Sequence, residues 1–124
     1  MKLRTTGHYG PINEWEVREF VKCVNDVDYF LNTYAYISDP IKGTIPFKLY
    51  PYQRRVLRDL VKYRFNISLK PRQMGLSWLS MGYALHMILV DKGKDVRCIS
   101  KGEREAVELL DKAKFIYNNL PRFL

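Results

Sequence analysis

The residues best suited to chemistry lie in one loop, residues 70–77, which reads KPRQMGLS. A P-loop has the pattern G-x-x-x-x-G-K-[ST]: backbone amides surround phosphates, a lysine reaches the β and γ groups, and a hydroxyl binds magnesium. Gly75 and Ser77 match their positions in that pattern. Lys70 stands where the first glycine is expected, and Leu76 where the lysine is expected. The loop is therefore a candidate phosphate site with an altered cation, and the alternative is an ordinary connection with solvated basic residues.

A second motif, FKLYPYQ at residues 47–53, precedes that loop. The amide of Gln53 matches the donor and acceptor on one edge of adenine, and Tyr50 offers a ring to stack on the base. Such a Q-motif stands N-terminal to a phosphate loop, as this one does. The alternative is the start of a helix at the edge of the core, with the tyrosines packed and Gln53 exposed.

The elements around the loop predict an α/β fold. Residues 66–69 are a short strand candidate, residues 76–90 form a nearly all-apolar helix, and residues 96–100 alternate like a second strand. An S-x-x-E cap from Ser100 to Glu103 then opens an amphipathic helix, which ends before Pro121. This order predicts a P-loop NTPase-like parallel sheet with flanking helices, incomplete in this chain.

The N-terminal part is predicted to be helical. Asn13 and Glu16 form a capping box before a helical apolar pattern, and a second short helix starts near Asp26. Residues 38–46 resemble a linker or turn, and Pro51 suits the first position of a further helix. We therefore expect an N-terminal helical segment over 1–40 and the first part of a P-loop ATPase domain over 41–124.

Composition limits the class of protein. The chain has 124 residues, of which 47% are apolar and 14% aromatic, enough for one small domain with a core. The formal net charge of +8 favours a polyanionic partner. The two cysteines, Cys23 and Cys98, have no metal-site spacing and are expected to be reduced, small hydrophobic residues in a cytosolic protein. The apolar stretch from Leu76 to Val90 falls short of the roughly 20 residues of a membrane span.

Much of the positive charge lies between residues 45 and 75, where eight cations accompany the single anion Asp59. On the helix after Gln53, the cations would decorate one outer face. A DNA backbone or a neighbouring subunit could meet that face, and a merely solvated helix surface is the alternative. The four helical cations are Arg54, Arg55, Arg58 and Lys62.

The chain is similar to the large subunits of tailed-phage terminases, the motors that pump double-stranded DNA into capsids. The matching segments are Asp28-Tyr29-Phe30, Tyr34, Ile37, residues 46–53, residues 70–77, Ser100 and Asn119-Leu120-Pro121. The resemblance runs from about Asn25 onward, and the Arg-Gln-x-Gly-x-Ser form of the loop is more specific than a generic P-loop. In that family, this segment begins the ATPase domain.

The resemblance implies ATP and Mg²⁺ as cofactors. Tyr50 and Gln53 resemble the adenine-recognising residues, Gly75 the phosphate-binding glycine, and Ser77 the magnesium hydroxyl. Arg72 resembles a loop arginine that acts on the γ-phosphate as a cis arginine finger and couples its loss to DNA movement.

Leu76 departs from family members that have lysine there, so Lys70 or Arg72 would neutralise the β and γ charge. Gln73 resembles the glutamine beside the family's arginine, and Met74 with Leu76 completes the loop backbone around the phosphates.

The resemblance also implies partners and a location. They are double-stranded DNA, the portal protein, a small terminase subunit and further copies in a motor ring, at the procapsid portal in the host cytoplasm and without a membrane. The acidic Walker B pair and the nuclease domain are expected beyond Leu124, so this chain should bind ATP without hydrolysing it efficiently. Asp91, after the apolar helix, is a weak candidate for the missing carboxylate.

Two other functions stay open. A helicase-like nucleic-acid translocase also carries a Q-motif before its phosphate loop, although it normally keeps the lysine that Leu76 replaces. A small basic DNA-binding protein without nucleotide chemistry would bind DNA with a steep salt dependence and no response to ATP.

Overall fold

The computed structural model describes residues 11, 13–69, 75–91 and 93–124. This part of the chain contains five helices and one two-stranded sheet. In order they are α1 (Glu14–Asn25), α2 (Val27–Tyr34), β1 (Tyr36–Asp39), β2 (Gly43–Pro46), α3 (Pro51–Lys62), α4 (Leu76–Val90) and α5 (Glu103–Asn118). Among the described residues, every helix is too short or too polar to cross a bilayer.

The first two helices start where the sequence predicts. The Asn13 side chain accepts a hydrogen bond from the Glu16 amide at 2.9 Å, which caps α1. Asp26 ends α1 and caps α2, because its carboxylate accepts from the Tyr29 amide at 3.2 Å. One residue thus stops the first helix and begins the second, which turns the chain sharply between them.

The predicted linker over residues 38–46 is instead most of a β-hairpin. β1 and β2 are antiparallel, with Tyr36 opposite Pro46 and Asp39 opposite Gly43. The carboxylate of Asp39 accepts hydrogen bonds from the amides of Ile41 and Lys42 at 2.8 Å each. The predicted turn therefore exists, but it is confined to the few residues between the two strands. The Ala35 carbonyl accepts from the Phe47 amide at 2.9 Å, which extends the pairing and leads the chain toward α3.

The prediction of a parallel P-loop sheet is wrong. The only sheet in the described residues is the antiparallel hairpin, and neither 66–69 nor 96–100 forms a strand. The side chains of Ile67 and Leu69 are fully exposed, and Ile99 is 90% exposed. A strand needs a backbone partner and a covered face, and apolar alternation alone supplies neither. In the described chain, no segment pairs with these two.

Helix α4 forms over the predicted residues, but it packs against other helices and not against a parallel sheet. Its neighbours are α2, α3 and α5. Leu31, Leu79 and Ile116 are completely buried where α2, α4 and α5 meet. Helix α5 begins at Glu103 after Gly102, so the predicted cap from Ser100 is not made. The core cluster includes residues on both sides of the predicted boundary at residue 40, Phe30 and Leu57 among them.

Candidate functional site

The start of α3 holds Gln53 in a buried position. Pro51 occupies the first helical turn, where its missing N–H costs nothing, and Tyr50 is the N-cap. The Oε1 of Gln53 accepts a hydrogen bond from the Tyr50 amide at 2.9 Å, and its side chain is only 3% exposed. The alternative was thus right that a helix starts here, but the exposed Gln53 that it expected is buried. Burial and the backbone hydrogen bond fix the orientation of the amide.

The start of α4 lies directly against that amide. Gly75, the N-cap, has φ +72° and ψ 11°, a left-handed conformation that favours glycine. A Cβ at Gly75 would lie 2.6 Å from Nε2 of Gln53. Two residues 22 positions apart in the sequence thus touch, and they come from the two motifs that the sequence singled out.

These two residues and Tyr50 line one cavity of about 580 Å³. Its walls come from the hairpin, the segment that leads to α3, and the start of α4; they include Asp39, Phe47, Lys48 and Trp78. That volume lies within the usual range of small-molecule sites, roughly 300–1,000 Å³.

Aromatic rings border the same cavity. Tyr50 is largely exposed, and its ring stacks parallel to Tyr52, with the centroids 5.8 Å apart and the planes 8° apart. On the opposite wall, the indole of Trp78 meets the Phe115 ring edge-on at 5.8 Å. A flat base could stack on Tyr50, because one face of an exposed ring remains for it.

The first turn of α4 offers backbone donors. The first hydrogen bond at this end joins the Leu79 amide to the Gly75 carbonyl at 3.1 Å. The amides of Leu76, Ser77 and Trp78 precede that bond and have no acceptor within the helix. The first turn contains no acidic residue. The positive end of the helix dipole could therefore bind an anion without a competing carboxylate in the helix's own first turn.

Leu76 and Ser77 direct their side chains away from this cavity. Leu76 is 7% exposed and belongs to the core. Both residues line a second cavity of about 390 Å³, which lies between α3, α4 and the 96–99 segment. The P-loop pattern would place a lysine where the fold here buries an apolar side chain. The hydroxyl that was predicted to bind magnesium, that of Ser77, therefore lines a different cavity from Tyr50 and Gln53.

Two charged groups border the first cavity. Lys48 is exposed, and its ammonium group donates to the Asn32 carbonyl at 3.0 Å. The amides of Lys42 and Ile41 lower the pKa of Asp39, so that side chain stays a carboxylate. Lys48 and Trp78 were not predicted as lining residues: the hairpin that completes the wall was predicted to be a linker, and Trp78 lies on the apolar helix.

The structure does not test the other predicted loop residues, and it places Asp91 away from this arrangement. Lys70, Arg72, Gln73 and Met74 lie outside the described residues. Asp91 is at the opposite end of α4 from Gly75, where it contacts Lys94 at 4.0 Å. Since α4 has 15 residues, its ends are about 22 Å apart.

Metal ligands are sparse in this region. Within the described ranges, no group of three or more His, Cys, Asp or Glu side chains is placed to hold a metal ion. The oxygen side chains that line the two cavities include the Asp39 carboxylate and the hydroxyls of Ser38 and Ser77.

No protein-family model matches this chain. The resemblance to large terminase subunits consequently rests on the motifs quoted above and stays a prediction.

Proposed function

We propose that this chain is the ATP-binding N-terminal part of a terminase-like large subunit, a motor that packages double-stranded DNA with ATP as its fuel. The observation that carries the proposal is the contact between Gln53 and Gly75 on one cavity. The adenine motif and the end of the phosphate loop are far apart in sequence, and a shared nucleotide pocket is a physical reason for them to meet.

Different residues of the pocket would contact different parts of the nucleotide. Tyr50 would stack on adenine, and the side-chain amide of Gln53 would read its edge, since the second lone pair of Oε1 can accept beside the Tyr50 N–H. The amides at the start of α4 would donate hydrogen bonds to phosphate oxygens. Lys48 adds a cation at the rim, and the loop residues Lys70 and Arg72 remain the proposed partners of the β and γ groups. The magnesium ion would supply charge neutralisation, and no role in holding it is assigned to Ser77, which lines the other cavity.

The test is a calorimetric titration of the chain with ATP, GTP and ADP in the presence of magnesium. We expect one site with preference for ATP over GTP. Gln53→Ala should weaken ATP about tenfold, which is the scale of one lost bidentate base contact, and should leave GTP binding unchanged. Arg72→Ala should cost more affinity for ATP than for ADP, because its proposed partner is the γ-phosphate.

A matched control separates base recognition from local folding. Asn32 has a comparable role outside the cavity walls, since its Oδ1 accepts from the Leu49 amide at 3.0 Å. Asn32→Ala removes a similar backbone contact without touching the proposed base site, and it should bind ATP like the wild type. An equal loss for both variants, or an equal loss for ATP and GTP, would remove Gln53 from the base site. Absence of binding to the folded chain would overturn the proposal.

A further inference from the structure

Helix α3 presents a row of cations on the side away from the nucleotide cavity. At about 100° per residue, Arg54, Arg55, Arg58 and Lys62 fall within an arc of about 100° around the helix axis. All four are exposed, whereas Gln53 and Leu57 on the other side are buried. The centre of the row lies about 150° around the axis from Gln53. The row and the cavity are therefore separate surfaces.

Most of this row has no ion-pair partner within the described chain. Arg54 contacts Asp28 of α2 at 3.6 Å. We call the other three, Arg55, Arg58 and Lys62, the α3 cation stripe. None of the eight ion pairs in the described residues includes a member of the stripe.

Most acidic residues of the chain already interact with groups other than the stripe. All 13 lie in the described ranges, and most are held in ion pairs or in helix and turn caps. The carboxylates that show no ion pair or cap there are Asp59, Glu103 and Asp111, which lie on α3 and along α5 rather than in one patch. The unpaired carboxylates thus form no single acidic patch that would match the stripe in a second copy of the chain.

We propose that the α3 cation stripe binds the phosphate backbone of duplex DNA. The stripe spans about 10 Å along a rigid helix, which suits successive phosphates of a regular backbone. Binding of a single strand relies on aromatic rings that stack on its bases, and the stripe itself contains none. The exposed rings that follow, Tyr63 and Phe65, each have a cation, Lys62 or Arg64, 5.2 Å from the ring centroid. The choice of DNA over duplex RNA rests on the proposed function.

The test is fluorescence anisotropy with labelled 30-base-pair duplexes of two unrelated sequences, without nucleotide, across 50–200 mM salt. We expect binding that does not depend on sequence and that weakens linearly with the logarithm of salt concentration. The triple variant Arg55→Gln, Arg58→Gln, Lys62→Gln should bind at least tenfold more weakly. Its salt slope should be smaller by about three, since each lost phosphate contact removes about one.

A second triple variant removes the same charge elsewhere. Lys42, Arg104 and Lys114 are exposed in the hairpin turn and on α5, and their change to glutamine should leave most of the affinity. Equal losses for both triples would show a net-charge effect and overturn the proposal. So would absence of duplex binding by the wild type, or a loss confined to single-stranded DNA. The stripe variant should still bind ATP like the wild type, so failure of the nucleotide site and failure of the stripe can be distinguished.

Discussion

The amide of Gln53 packs against the backbone of Gly75 so closely that no side chain fits between them: a Cβ at Gly75 would lie 2.6 Å from Nε2. Gly75 also needs its positive φ to begin α4. Two requirements, one steric and one conformational, therefore act on the same residue. The geometry of the proposed pocket depends on both, because the cavity wall changes if either residue moves.

Gly75→Ala should lower the free energy of unfolding by more than Gly43→Ala. Both positions have a positive φ, which costs an ordinary residue about 1–2 kcal/mol. Gly43 has open space around its Cβ direction, whereas Gly75 faces Gln53. Urea denaturation of the two variants measures the difference. In a Gln53→Ala background, the cost of Gly75→Ala should fall to that of Gly43→Ala; a cost that stays unchanged there would refute the contact.

Placing lysine at position 76 should destabilise the protein instead of restoring a working P-loop. Leu76 is buried in the core, so Leu76→Lys leaves an ammonium group without water and costs at least about 2 kcal/mol. Leu76→Met conserves volume and should cost less than about 1.5 kcal/mol. Burial lowers the pKa of a lysine below its unfolded value, so the stability of Leu76→Lys should rise with pH. Tighter ATP binding at wild-type stability would contradict this placement.

A buried carboxylate should make stability sensitive to acid. Glu19 accepts hydrogen bonds from the hydroxyls of Tyr29 at 2.6 Å and Tyr34 at 2.5 Å, and these lower its pKa from the ordinary value of 4.5. Its contribution is therefore complete above the unfolded pKa and is lost as the pH falls through the lower, folded pKa. Urea midpoints between pH 7 and pH 3 should fall less for Glu19→Gln than for the wild type.

The exposed Glu14 of the same helix provides the control for that experiment. Glu14→Gln changes the same charge on α1 without touching the tyrosine pair, and it should keep the acid loss of the wild type. If both substitutions reduced the fall of the urea midpoint between pH 7 and pH 3 equally, the acid sensitivity would come from the net charge on α1 and not from the Glu19 contacts.

Gly82 should tolerate no methyl group where α2 crosses α4. A Cβ there would lie 2.6 Å from Cδ2 of Leu31 and 3.6 Å from Cδ1 of Ile116. We expect Gly82→Ala to cost about 1–3 kcal/mol through overpacking, although alanine is the better helix former. Thermal unfolding measures it, with Ser80→Ala on the exposed side of α4 as the neutral control. Leu31→Val should relieve part of the cost; a more stable Gly82→Ala would refute this close approach.

Local signals in the sequence predicted the helices well. Asn13 and Asp26 cap their helices because a short polar side chain can reach an amide three residues on, and this requires no information from elsewhere in the chain. The same is true of Pro51 at the start of α3 and of the nearly all-apolar segment that forms α4. The prediction failed where pairing decides the structure. Residues 66–69 have the composition of a strand, but the described chain offers them no backbone partner.

The sequence by itself determined which residues could do chemistry: the aromatic segment that ends in Gln53, the glycine that opens α4, and the cations of α3. It determined the helices too, because caps and helical periodicity act within a few residues. Only the tertiary structure decided that Gln53 meets Gly75 while the side chains of Leu76 and Ser77 face another cavity. It also placed the hairpin and Lys48 on the cavity wall. Contacts between distant segments depend on how whole elements pack, and no local pattern records that packing.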